Sequence, residues 1–88
     1  MSRRQKFLSL LLSGQSDNDL DFNSLVVLLE LIGFEKRIRG SHHLFAKPGI
    51  PELVNIQPAT GNIVKPYQAK QVRGILLKHR ATLGLDLL

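Results

Sequence analysis

The 88-residue chain contains no cysteine. Disulfides therefore cannot hold it together, and the thiolate ligands of common structural zinc sites are missing. Aromatic residues are scarce, four Phe and one Tyr. No apolar run approaches the roughly 20 residues that span a bilayer. Leu8 to Leu12 follows a basic start, as in a signal peptide. The run is short, however, and Asp17, Asp19 and Asp21 stand where small residues would precede cleavage. The expected location is cytoplasmic. Those three aspartates alternate as in a calcium loop, but the glycine at its sixth position and the glutamate at its twelfth are absent. There is no internal repeat, no low-complexity tract and no flexible linker.

Hydrophobic residues make up 43% of the chain, a globular composition. The length suits one small domain, residues 1–88, and not two. Charge is unevenly spread. Residues 14–35 hold five acids and no Lys or Arg, whereas residues 36–80 hold nine Lys or Arg against Glu52 alone. A basic half of this kind suits a polyanion, most commonly nucleic acid, with a solvated surface as the plainer explanation.

Periodicity predicts a helix over 3–13, with Phe7, Leu8 and Leu11 on one face, Leu12 beside it and Gly14 as its C-cap. A second helix spans 22–32, capped by Asp21 or Asn23. Between Leu25 and Ile32 only Glu30 is charged, so this helix is expected to be covered on two sides, by a sheet and by another helix. Residues 34–39 alternate, with Phe34, Lys36 and Ile38 on one face and Glu35, Arg37 and Arg39 on the other. A turn at Gly40-Ser41 leads into a strand over 42–47. A turn over 48–51 leads into a third strand, 52–58, with Val54 and Ile56 inward. Residues 59–62 read as a loop. Pro66 opens a last helix, 66–80, whose buried stripe includes Val72, Leu76 and His79, the last as a structural residue. The apolar tail 81–88 docks either on the domain or on a partner. This order predicts an α+β fold, a three-stranded antiparallel sheet with helices on one face plus an extra N-terminal helix over 1–14, the core spanning 22–80.

Neighbouring strand residues point to opposite faces, so His42 and His43 cannot share one. If Leu44 and Ala46 point inward, then His43, Phe45 and Lys47 share the open face. Together they offer a proton-transfer group, a ring on which a base can stack and a phosphate partner. His42 would then point toward the helices. The converse places Phe45 in the core and exchanges the faces. Metal binding fits poorly, since the two adjacent histidines diverge and no thiol is available.

Between Phe22 and Arg80 the chain resembles the HicA toxins of bacterial toxin–antitoxin systems. These are small RNA-cleaving proteins with a fold like a double-stranded-RNA-binding domain. The residues that carry the likeness run in order from Ile32-Gly33-Phe34 to Arg39-Gly40-Ser41-His42-His43-Leu44-Phe45. The Pro-Gly turn at 48–49, the strand VNIQP and Lys65-Pro66-Tyr67-Gln68 leading into Val72-Arg73 complete it. The first helix looks like an extension found in a longer subgroup. The resemblance implies a metal-independent endoribonuclease acting on mRNA, without cofactor, and a HicB-like antitoxin as partner. The family's Gly-Ser-(His or Asn)-His pattern puts the catalytic histidine at His43 and a supporting residue at His42. Candidate RNA contacts are Ser41, Phe45, Lys47, Lys36, Lys65, Lys70 and Arg73. The acid that complements His43 is left open among His42, a lysine and water. The antitoxin is expected to cover the sheet face bearing His43, with acidic groups opposite Lys36, Lys47 and Lys65. A non-catalytic RNA-binding module and a pure interaction protein are the competing readings of the same fold.

Overall fold

The structure is a computed structural model that describes residues 2–88. Helix α1, Arg3–Ser13, starts at Ser2, whose hydroxyl accepts the Gln5 amide while the Gln5 side chain returns to the Ser2 amide. This reciprocal cap satisfies two of the donors that a helix start leaves unpaired. Helix α2, Phe22–Leu31, is capped by Asp21, whose Oδ2 accepts the amide and the hydroxyl of Ser24, both at 2.8 Å. Strands β1 (Glu35–Arg39), β2 (His42–Lys47) and β3 (Ile50–Ile56) follow and pair in that order as an antiparallel sheet. The protein is thus α+β, with the sheet and the additional N-terminal helix expected from the sequence.

Three elements differ in extent. Strand β3 covers Ile50–Ile56 rather than 52–58, so it starts inside the expected turn and stops two residues early. The loop read over 59–62 lies within a small hairpin, β4 (Pro58–Ala59) with β5 (Ile63–Val64). It is tied to the start of α2, because the Phe22 amide donates to Asn62 O at 3.0 Å and the Val64 amide to Leu20 O at 2.8 Å. Helix α3, Pro66–Lys78, stops two residues early. His79 leaves helical geometry, a short turn of helix α4 covers Arg80–Leu83, and a 3-10 turn covers Leu85–Leu87. The apolar tail docks on the domain itself, with Leu83 and Leu85 buried in the common core.

Helix α2 is less covered than its composition suggests. Phe22, Leu25, Leu28 and Leu29 are buried, but Val27 and Leu31 remain 57% and 41% exposed. The core forms where this helix, α1 through Leu8 and Leu11, and α3 through Val72 and Leu76 meet Phe45, Val54 and Ile56 of the sheet.

The register decides which sheet face is packed. Phe45 lies opposite Lys36 and Val54, and His43 lies opposite Ile38 and Ile56. Phe45 is 0% exposed, whereas His42 and Ala46 are exposed. The expectation that Leu44 and Ala46 point inward is therefore corrected, and the two faces exchange. The reason is area. Side chains alternate strictly, so the strand must bury either the Phe45 ring or the smaller pair. Burying one large apolar side chain is worth about 2–3 kcal/mol, and Ala46 offers little in return.

Gly33 joins α2 to β1 with φ of +104°, and a Cβ there would lie 2.7 Å from Lys47 Nζ. The positive φ is what favours glycine here, since the Lys47 ammonium ends a flexible side chain that can move aside.

Phe45→Ala should cost about 3–5 kcal/mol by leaving a core cavity. Leu44→Ala should cost markedly less in the same denaturant titration. A larger loss for Leu44→Ala would mean that the faces lie the other way round.

Candidate active site

The β1–β2 connection is the two-residue loop Gly40-Ser41, since Arg39 pairs directly with His42. Gly40 has φ of +58° and Ser41 does not share the positive sign. That is the pattern of a type II′ hairpin turn, which wants glycine at its first central position. The turn delivers Ser41, His42 and His43 together at one end of the sheet.

His42 projects from the open face and both its ring nitrogens are engaged. Nδ1 lies 3.0 Å from Asn55 Oδ1, and Nε2 lies 3.1 Å from Gln57 Nε2. An amide oxygen only accepts and an amide nitrogen only donates. His42 therefore donates through Nδ1 and accepts at Nε2. Gln57 completes the arrangement. Its amide nitrogen also donates to Ser41 Oγ at 2.9 Å, and its Oε1 accepts from Lys65 Nζ at 3.1 Å. Its backbone amide donates to Oε1 of the buried Gln68 at 2.9 Å.

His43 is half-buried on the packed side. Its ring meets Phe22 edge-to-face, 5.0 Å between centroids at 79°. Nδ1 donates to Ser41 O at 3.3 Å. Nε2 has no hydrogen-bond partner among the described residues, and no buried polar side-chain atom among them is left unpaired, so Nε2 is open to solvent. A carbonyl at one nitrogen fixes the tautomer and leaves the lone pair of the other nitrogen available, as a general base requires.

The remaining candidates separate clearly. Lys65 joins the histidine cluster through Gln57. Phe45 cannot stack on a base, because its ring is fully buried; this corrects its assignment as an RNA contact. Arg73 is also reassigned. It forms a bidentate pair with Asp17 at 2.9 and 3.1 Å and donates to Leu11 O at 3.1 Å. The Asp17 carboxylate raises its pKa further, and its fork pins the α1–α2 connection to α3. Lys36 leans on Glu30 at 3.6 Å, and Lys47 lies over Gly33. Lys70 is exposed beside Lys78 and Glu52, in a separate shallow depression. His79 is structural, its Nε2 meeting Glu52 Oε1 at 2.8 Å.

Sequence reading missed Asn55 and Gln57, whose roles depend on cross-strand register. It also missed Arg37 and Arg39, which occupy the open face beside Leu44 and Leu53 with no acidic partner among the described residues. Taking Phe45 as the inward residue of β2 would have found both arginines by alternation. Among the described residues, no three His, Asp or Glu side chains converge as a metal site would require, and no helix is long and apolar enough to cross a membrane. Comparison of the chain with family models, curated proteins and solved structures yields no match.

Lys78 and then His79 hold the Glu52 carboxyl down to about 2, well below its ordinary 4.5. A depressed carboxylate stabilises the fold above its unfolded pKa, and that contribution disappears as pH falls through the folded value. Glu52→Gln should therefore lower stability at neutral pH and flatten the decline between about pH 5 and 2. Thermal melts of both proteins across that range check this; parallel curves would contradict it.

Proposed function

We propose that this chain is a metal-independent endoribonuclease of the HicA kind, the toxin half of a toxin–antitoxin pair acting on cytoplasmic mRNA. The observation that carries the reading is the His43 ring. One nitrogen is fixed on Ser41 O and the other is open to solvent, on a hairpin that also bears the Ser41–His42–Gln57–Lys65 network.

In this reading His43 Nε2 takes the proton of a ribose 2′-hydroxyl, and the resulting oxygen attacks the adjacent phosphorus. The 5′-oxygen of the next nucleotide leaves and takes a proton from solvent water, His43 later returns its own proton to solvent, and the products are a 2′,3′-cyclic phosphate and a 5′-hydroxyl. Negative charge builds on the phosphoryl oxygens during attack. Lys65 is the cation that the cluster offers to stabilise it, held in place by Gln57. His42 acts as a positioning residue, because both its nitrogens are occupied in orienting Gln57 and Asn55. Phe22 supports the His43 ring from the side away from solvent.

The face exchange changes how a partner would silence the protein. A cover laid flat on the open sheet face would leave His43 accessible. The antitoxin must reach the hairpin end at Ser41–His43 instead. It would be acidic, because residues 36–80 carry nine Lys or Arg against Glu52 alone.

Single-turnover cleavage of RNA by His43→Ala and His42→Ala tests the assignment. Loss of a general base typically costs a hundredfold to ten-thousandfold in rate, and His43→Ala should show a loss of that order while remaining folded. His42→Ala should lose less. An all-2′-deoxy oligonucleotide should bind and resist cleavage. Cleavage at the wild-type rate by His43→Ala would overturn the assignment. RNA binding without cleavage by the wild-type protein would leave a non-catalytic RNA-binding module. Binding should also fall steeply with salt, with a log–log slope of about −0.7 for each phosphate neutralised on a single strand.

A further inference from the structure

With Phe45 in the core, the site needs another surface for a base. The chain has five aromatic residues, four Phe and Tyr67. Phe22, Phe34 and Phe45 are buried and Phe7 packs against the core, whereas Tyr67 is 59% exposed. Its position is specific. It stands at the start of α3, two residues after Lys65, and its hydroxyl accepts from Gln68 Nε2 at 3.4 Å. The same Gln68 side chain receives the Gln57 backbone amide, and Gln57 in turn holds Lys65, Ser41 and His42. The exposed ring is thus tethered by its polar end to the network that positions the histidines. A tethered ring loses little freedom when a ligand settles on it.

We propose that Tyr67 is the stacking platform of this site and that the substrate is single-stranded RNA, one unpaired base lying on the ring with its neighbouring phosphate toward Lys65. The proposal rests on the ribonuclease reading for its substrate class. The chemistry favours a single strand. A paired base keeps its faces inside the helical stack, whereas an unpaired base offers a whole face to an aromatic ring. Stacking tolerates any base identity, so Tyr67 supplies affinity for unpaired segments, and sequence choice falls to polar groups at the base edges.

The composition provides a direct probe. The chain has one tyrosine and no tryptophan, so its intrinsic emission reports on Tyr67 alone. A short single-stranded 2′-O-methyl oligoribonucleotide of mixed sequence carries no free nucleophile and stays intact. It should quench that emission on binding, and the same sequence in a duplex should not. Measured by anisotropy of a labelled strand, Tyr67→Ala should weaken binding by about 5- to 150-fold, the worth of one base–aromatic stack. Tyr67→Phe, which keeps the ring but loses the hydroxyl tether, should recover most of that loss. Intact affinity in Tyr67→Ala, binding without quenching, or equal quenching by duplex would overturn the proposal. Unmodified RNA separates it from the catalytic reading. If wild-type protein binds and is quenched but leaves this RNA uncut, catalysis fails and the platform stands. If Tyr67→Ala binds and cuts as wild type does, the platform fails and catalysis stands. Absence of any RNA binding would overturn both.

Discussion

The burial of Phe45 is the constraint on which the rest of the molecule depends. One ring on the central strand selects the packed face, and strict alternation then assigns every neighbour. His43 goes to the packed side with Ile38 and Ile56 opposite it, and His42 goes to the open side with Arg39 opposite it. The same choice brings Phe22 against His43 and leaves Arg37, Leu44 and Leu53 facing outward. Moving Phe45 outward would cost its burial energy and would also take the candidate base away from the aromatic edge that orients it.

Gln57 plays the corresponding role among the polar groups. It follows the last residue of β3, and its side chain contacts the hairpin turn, the outward histidine and the lysine that precedes α3. Each of its amide hydrogens and its oxygen has a defined partner, so the amide cannot rotate without losing several bonds at once. This satisfaction divides the histidines. His42 spends both nitrogens on the network, while His43 spends only one, on the turn that precedes its strand. The difference in free valence, rather than exposure, distinguishes a positioning residue from a candidate base. His43 is the less exposed of the two.

Much of the fold was legible because it is encoded locally. Asp21 with Ser24, Gly14 after α1, Gly40 at the hairpin and Pro66 at α3 all act within a few residues of themselves, and each appears where its chemistry predicts. The face of β2 was not legible in the same way. Alternation yields two solutions, and only the long-range competition between Phe45 and the Leu44–Ala46 pair separates them. Arg73 reads as a surface cation in sequence, yet its partner Asp17 lies 56 positions away. Asn55 and Gln57 carry no signal of their own, since their partners are set by register across strands. The β4–β5 hairpin escaped because strands of two residues leave no periodicity to read.

The reaction we propose turns on one chemical step, attack by a ribose 2′-oxygen initiated at His43. The ends of the cleaved RNA record that step directly. Mass analysis of the fragments released by the wild-type protein should find a 2′,3′-cyclic phosphate on the upstream piece and a 5′-hydroxyl on the downstream piece. A 3′-hydroxyl with a 5′-phosphate would mean that water, not the 2′-oxygen, attacks phosphorus, and would contradict the role assigned to His43.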